Sequence, residues 1–376
     1  MSVLPEIPHT LADYGWDSAF AEDFSLHHCH RTTDLIPGRI IRVDRGRCDV
    51  VISTRRSTSS DTSTAPVTVV PADIAPVHTS DPMEWACTGD WVALDPPSAN
   101  TLATVRALLP RRTAMVRSTS SKRSEGQVLA ANVDHVVVAV CLATQPDLGR
   151  LERFLALAWE SGAQPLVVLT KADLATDAEY VRADTEAAAP GVQVLVVSSE
   201  TGEGIDVLSA VLAGSTSVLI GRSGAGKSTL ANTLLGQEVQ EVNHTRDSDG
   251  KGRHTTVARD LLPLPFGGVL IDTPGLRGVG LWDAESGLQQ VFSEIEELAQ
   301  ECRFHDCAHN REPGCAVLNA VEDGALTVRR LESYRKLLRE NAWIASRTDA
   351  RLRAERLRHW KMIHKSVRDS GVTRRR

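Results

Sequence analysis

The chain has 376 residues, of which 42% are hydrophobic and 24% charged; these values sit near the globular average, exclude collagen-like, fibrous and wholly disordered readings, and leave room for two or three cores. No apolar run reaches the roughly 18 residues of a membrane helix, and MSVLPEIPHT lacks the basic-then-apolar layout of an export signal, so a cytoplasmic protein with no membrane attachment is expected. The net charge of −6 hides an asymmetry: residues 329–376 hold 16 Lys plus Arg against 5 Asp plus Glu, so that end carries +11 and the remainder −17, and a phosphate-rich partner is drawn to one end only.

Residues 1–34 read as an extension of loops and a short helix. His27, His28, Cys29 and His30 sit side by side there, and adjacent residues on a regular element point in different directions, which favours a surface cluster over a metal site. From Arg39, Ile41 and Val43, a turn at Asp44–Gly46, then Cys48, Val50 and Ile52 alternate as a strand hairpin does. Short strands continue over Asp90–Leu94 and Thr101–Leu108, while Ser53–Pro66 is too polar to pack and reads as a mobile loop. Short strands without helical periodicity over 35–112 predict a small closed barrel of the OB type.

From Asn132 apolar strands alternate with amphipathic helices: HVVVAV at 135–140, PLVVL at 165–169, VQVLVV at 192–197, SVLI at 217–220 and GVLI at 268–271, with helices near 148–162, 177–189, 205–213 and 227–236. Strands this apolar are buried on both faces, so 113–285 is expected to be an α/β domain with a parallel sheet covered by helices. Beyond it, 286–376 reads as helical, interrupted by a cysteine cluster.

The strongest motif is Gly221-Arg222-Ser223-Gly224-Ala225-Gly226-Lys227-Ser228-Thr229, a G-x-x-x-x-G-K-[ST] loop between a strand and a helix. Its glycines let successive backbone N–H groups curl around a phosphate at a helix N-terminus. Lys227 would reach the β and γ phosphates, and the Ser228 hydroxyl would ligate Mg²⁺. Asp272-Thr-Pro-Gly275 follows a further strand, where a carboxylate supplies a second Mg²⁺ contact and Gly275 offers its N–H to the γ-phosphate. Thr170-Lys171-Ala172-Asp173 follows another strand: the carboxylate would accept the ring N–H and exocyclic amine of guanine while the Lys171 stem packs over the base. Such paired hydrogen bonds reject a base lacking the donors by about 10⁴ or more. Ser198 and Ser199, after a fourth strand, would bring a backbone N–H to the guanine carbonyl.

Cys302-x₄-Cys307-x-His309-x₅-Cys315 offers four soft or borderline ligands and no position for a reacting water, the pattern of a closed structural zinc site. Seven cysteines, three of them crowded here, favour metal over disulfides. The basic C-terminal end, with Trp343, Trp360 and Ile363 interspersed, suits contact with RNA phosphates.

Base recognition here precedes the phosphate loop, the reverse of the usual GTPase order, which makes the domain a circular permutation. With Arg111-Arg112, Arg117, Glu125-Gly-Gln127 and Ala131-Asn-Val-Asp134 ahead of it and the cysteine cluster behind, the chain resembles the ribosome small subunit-dependent GTPase A family (RsgA/YjeQ). The resemblance, over about 36–345, implies an OB-fold, a permuted GTPase domain binding GTP or GDP with Mg²⁺, and a helical domain with one structural Zn²⁺. It also implies late maturation of the small ribosomal subunit (30S) through contact with that subunit and its rRNA; a monomer is the default. Gly252-Arg-His254-Thr255-Thr256 matches the family's first switch: either Thr255 or Thr256 would sense Mg²⁺ and γ-phosphate, and His254 is expected to position the attacking water, because Leu276 stands where Ras-type enzymes place the water-orienting Gln. Thr170 replaces the usual Asn, which leaves open how the base loop is supported. The chain from Gly275 into the zinc segment gives nucleotide state a route to RNA, with binding in the GTP form and release after hydrolysis. The rival reading is a nucleotide-gated RNA-binding or chaperone module with negligible hydrolysis.

Overall fold

The structure, a computed structural model, describes residues 9–28, 35–44, 46–54, 65–98, 101–118, 126–238, 259–272 and 284–348. Strands β1 (Ile36–Asp44), β2 (Arg47–Ser53), β3 (Val67–Asp73), β4 (Trp91–Asp95) and β5 (Ala103–Leu108) pair in the order β1-β2-β3-β5-β4, and β4 returns to β1 to close a barrel. Alternate residues fill it: Ile40, Val50, Ala72, Val92, Leu94 and Val105 are fully buried in one cluster. The sequence reading passes over β3, whose Pro71 argues against a strand. Pro71 is tolerated because β3 pairs with β2 along its length but with β5 only at Ala72 and Asp73, so no ladder partner is required of it on that side.

The extension contains α1 (Ser18–His28). Trp16, Phe20 and Phe24 are buried against Trp91 of β4, with the Trp16 and Trp91 ring centroids 4.8 Å apart. Asp17 accepts two 2.6 Å hydrogen bonds from the Arg112 guanidinium, which also covers Phe20. The chain start is therefore an aromatic strap over the barrel's junction with the next unit.

A hairpin of β6 (Ala114–Ser118) and β7 (Gly126–Ala131) leads into a sheet of β8 (His135–Cys141), β9 (Gln164–Thr170), β10 (Gln193–Val196), β11 (Thr216–Gly221), β12 (Leu261–Pro263) and β13 (Val269–Ile271), in the order β10-β9-β8-β11-β13-β12. All neighbours are parallel except β12, which runs antiparallel at one edge. Val136 and Val138 pack in one buried cluster and Val137 in the other, so both faces are covered, as the unbroken apolar run requires. Helix α2 (Leu148–Glu160) and α3 (Ala178–Ala188) are capped by Asp147 and Asp177, whose carboxylates accept from the N–H of Arg150 and Tyr180. Helices α4 (Ile205–Leu212) and α5 (Lys227–Leu235) place Leu208, Leu230 and Leu234 on the opposite face.

Arg39 of β1 joins the barrel to this sheet. Only 1% exposed, its guanidinium donates to the carbonyls of Gly89, Asn132 and Tyr14 and to the Thr216 hydroxyl. Burial pulls its pKa down to about 10, against the opposing carboxylates of Asp134 and Asp90, so it remains charged at neutral pH. Of helices α6 (Glu285–Val291), α7 (Ser293–Gln300), α8 (Ala316–Glu322) and α9 (Val328–Thr348), α6 and α9 pack against α2, α7 against α6, and α8 against α7. Glu152 of α2, fully buried, accepts from Arg329 at 2.9 Å, from Arg330 at 2.7 Å and from Ser333. A Cβ on Gly287 would lie 2.1 Å from the Ala156 carbonyl oxygen, so glycine is what lets α6 approach α2 this closely. No helix among the described residues is long and apolar enough to cross a membrane.

Candidate nucleotide and zinc sites

Strands β8, β9, β10, β11 and β13 end at one edge of the sheet, and the predicted motifs follow four of them. The chain visits β8, β9 and β10 on one side and then crosses back to β11, so the β8–β11 boundary is a topological switch point, where open α/β sheets bind ligands. Gly221 closes β11 at φ +144°, and a Cβ there would lie 2.4 Å from the Ala139 carbonyl oxygen of β8. Gly224 and Gly226 take φ of +81° and +78°, the left-handed turns that swing Arg222–Gly226 around into α5. Lys227 Nζ donates to the carbonyls of Gly221 and Arg222 at 3.0 and 2.6 Å, which puts its charge over the loop. Ser223 and Thr229 are exposed, Ala225 is buried and Ser228 half-buried in the first turn of α5.

The base-recognition segment meets this loop directly. Thr170, at the end of β9, donates its hydroxyl to the Ala225 carbonyl at 2.8 Å and lies 3.3 Å from that of Val140. The hydroxyl thus fastens the segment after β9, where base recognition is expected, to the 221–229 loop. Lys171 adopts a left-handed conformation at φ +61°, and the Ala172 N–H donates to the Val197 carbonyl at 3.1 Å. Asp173 is exposed, and its carboxylate accepts from the buried Ser198 hydroxyl at 2.5 Å. Ser198 Oγ in turn accepts from the Thr201 N–H, so the loop after β10 aims the carboxylate. Ser199 is half-buried beside it.

Asp272 follows β13, half-buried, with its N–H donating to the Asp260 carbonyl at 2.8 Å. A hydroxyl on α5 and a carboxylate after the strand beside β11 are hard oxygen donors that suit Mg²⁺. His254, Thr255, Thr256, Gly275 and Leu276 lie outside the described residues, as do Cys29, His30, most of Ser53–Pro66, and 349–376 with Trp360 and Ile363.

The cysteine cluster lies between α7 and α8. The four ligand atoms of Cys302, Cys307, His309 and Cys315 are all within 4.8 Å of one another. Cys302 Sγ is 3.8 Å from Cys315 Sγ and 3.6 Å from His309 Nδ1, and Nδ1 is 3.4 Å from Cys315 Sγ. A tetrahedron built on Zn–S of about 2.3 Å and Zn–N of about 2.0–2.1 Å has edges of about 3.8 and 3.5 Å, so the donor set fits zinc. Burial resists ionisation of Cys302, but the N–H groups of Val317 and Ala316 at the start of α8 outweigh it and lower the thiol pKa. Burial also lowers the His309 pKa, which favours the neutral imidazole a metal needs. Sequence reasoning missed Glu312. Its carboxylate accepts from the N–H groups of Ala308, Asn310 and Arg311 and holds the loop in which His309 sits at φ +54°; the only signal was an acid inside the ligand spacing.

A phosphate loop fastened to a guanine-type carboxylate loop, on a sheet whose strands run in shifted chain order, defines a P-loop GTPase in circularly permuted form. A family model described as RsgA GTPase matches residues 108–282. A Streptomyces avermitilis protein named small ribosomal subunit biogenesis GTPase RsgA is 64% identical over 94% of this chain and 91% of its own, and one of that name from Syntrophotalea carbinolica is 41% identical over 89% of both. The crystal structure of YjeQ from Thermotoga maritima superposes with a TM-score of 0.59 at 25% identity, covering 82% of this chain and 98% of that one. YloQ, described as a circularly permuted GTPase, has a TM-score of 0.57 at 24% identity over 84% and 96% and supports the fold. The chain belongs to the RsgA GTPase family, hydrolases acting on GTP.

Proposed function

We propose that this GTPase is a late-stage assembly factor of the small ribosomal subunit, that the subunit stimulates its hydrolysis, and that hydrolysis drives its release. The reading is supported above all by 64% identity, over nearly the whole chain, to a protein named for small ribosomal subunit biogenesis. The Thr170–Ala225 link supports nucleotide binding by the same site.

In this reading Asp173 accepts the guanine donors, Lys171 covers the base, and Ser198 and Ser199 border it. The N–H groups of 221–229 cradle the phosphates and Lys227 neutralises them. Ser228 and Asp272 hold Mg²⁺, which stabilises charge developing on the β and γ oxygens. Gly275 and Thr255 or Thr256 contact the γ-phosphate side, and His254 positions the water. The four ligands at 302–315 hold Zn²⁺, and the +11 end contacts rRNA. The functional units are 1–34, 35–112, 113–285 and 286–376, in a cytoplasmic monomer. Multiple-turnover GTP hydrolysis with and without purified small subunits tests the reading. Stimulation by at least about tenfold is expected; unchanged, negligible turnover would favour the nucleotide-gated RNA-binding module instead.

A further inference from the structure

The barrel touches the sheet at a second place besides Arg39, close to the candidate Mg²⁺ carboxylate. Strand β1 lies against β12, the antiparallel edge strand, at the point where 259–260 enter it. The hydroxyl of Thr88, buried in the β3–β4 connection, donates to the Arg259 carbonyl at 3.0 Å. Arg42 of β1 reaches the Asp260 carboxylate at 3.5 Å and Asp44 at 3.3 Å. Asp260 also accepts, through its carbonyl, the N–H of Asp272. That bond extends the β12–β13 ladder, in which Leu261 stands opposite Ile271. The two-residue entry to β12 is thus held by the barrel from one side, through Arg259 and Asp260, and Asp260 holds the backbone of Asp272 from the other.

We propose that Asp260, its ion-pair partner Arg42 and Thr88, which holds the neighbouring Arg259 carbonyl, are positioning residues for Mg²⁺ binding at Asp272. The barrel is then part of the metal site at one remove, which makes it a place where occupation of the barrel surface is felt by the bound nucleotide. The buried Thr88 bond carries most of the effect, because an exposed ion pair such as Arg42–Asp260, about 40% accessible on each side, contributes little by itself. The inference rests on the reading of Asp272 as a Mg²⁺ ligand.

The test is equilibrium binding of a fluorescent GDP and a nonhydrolysable GTP analogue across a Mg²⁺ titration, without ribosomes, for the full chain and for Thr88→Val, Arg42→Gln and the double variant. In the double variant the Mg²⁺ concentration giving half the affinity gain should rise about three- to tenfold, the equivalent of one hydrogen bond. Affinity in EDTA should stay within about twofold. An unchanged Mg²⁺ midpoint in the double variant overturns the proposal, as does a parallel loss in EDTA, which marks a merely structural contact. Arg42→Gln, a surface change, keeps the test decisive if Thr88→Val folds poorly: on its own it should raise the midpoint by up to about twofold, and no rise overturns the coupling through Asp260. If nucleotide binding by the unaltered chain is indifferent to Mg²⁺, the reading of Asp272 falls and takes the proposal with it.

Discussion

Replacing Thr170 by Val removes one hydroxyl and keeps the shape. Thr170 is 3% exposed, and its hydroxyl is bonded to the Ala225 carbonyl inside the phosphate loop. A buried carbonyl left without its donor costs about 1–3 kcal/mol. If all of that were expressed in nucleotide binding, affinity would fall about 5- to 150-fold. The expected loss lies at the lower end, about five- to tenfold, because Ala172 and Ser198 still tie the base segment to the loop after β10. Since the contact joins the base side to a loop whose N–H groups cradle the phosphates common to both nucleotides, GDP and GTP analogues should lose affinity about equally. Thr170→Ser should restore most of it. Equilibrium titration with fluorescent nucleotides, alongside thermal melts to confirm folding, measures both ratios. Unchanged affinity in a folded Thr170→Val protein, or a loss confined to GTP, would refute the coupling of the two loops.

Asp173→Asn should lower GTP affinity by at least about a hundredfold while improving binding of a xanthosine nucleotide, whose 2-oxo group accepts from the new amide; competition binding checks both directions. Metal analysis of purified protein should find one zinc per chain, and a strong chelator should lower the Tm while nucleotide affinity is retained, because the cluster at 302–315 lies away from β11 and α5. For pH, the hydrogen bond from Arg112 holds the Asp17 carboxyl below its usual range, against the opposing effect of burial. With the folded value below the unfolded value of about 3.9, its contribution is present in full above that pH and is lost as pH falls through the folded pKa. Denaturant titrations should show Asp17→Asn less stable than the parent at pH 7, by under about 1 kcal/mol for so exposed a pair, with the gap closing as pH falls below the unfolded value; a gap independent of pH contradicts the assignment.

Five of the sheet's six strands were legible because each is an apolar run bounded by turn residues, and the phosphate loop because its glycine spacing has one physical use; the antiparallel edge strand β12 was not, being three residues long and ending in Pro263. The barrel was half legible. β1 and β2 alternate cleanly, but β3, although Val67, Thr68, Val69 and Val70 favour a strand, shows no apolar–polar alternation and is interrupted by Pro71. The strap escaped notice because Trp16, Phe20 and Phe24 gain meaning only from Trp91, some 70 residues on. Nothing local marks Arg39 or Glu152 as a buried ion, since the partners of Arg39 lie 25 to 177 residues away and those of Glu152 177 to 181. The cluster of three cysteines and a histidine was legible through its spacing, but Glu312 was not, because its role is toward backbone N–H groups that carry no sequence signature.

The expected route from nucleotide to RNA ran from Gly275 straight into the zinc segment, as if that segment were free to reseat itself. The packing constrains this. Arg330, 4% exposed, bonds Glu152, Glu294 and the Ala188 carbonyl and covers the Phe292 ring. Glu160 of α2 accepts from Ser286 and the Gly287 N–H at the start of α6. Separating a buried pair such as Glu152–Arg330 costs about 3–5 kcal/mol, comparable with the roughly 5.5 kcal/mol a ligand must supply to reverse a two-state equilibrium almost completely. Moving α6–α9 away from α2 would break several such contacts at once. A nucleotide signal of the kind proposed would therefore cost less if it left these helices seated on α2 than if it displaced them, and the exposed pair at Arg42 and Asp260 is a described contact beside Asp272 weak enough to rearrange.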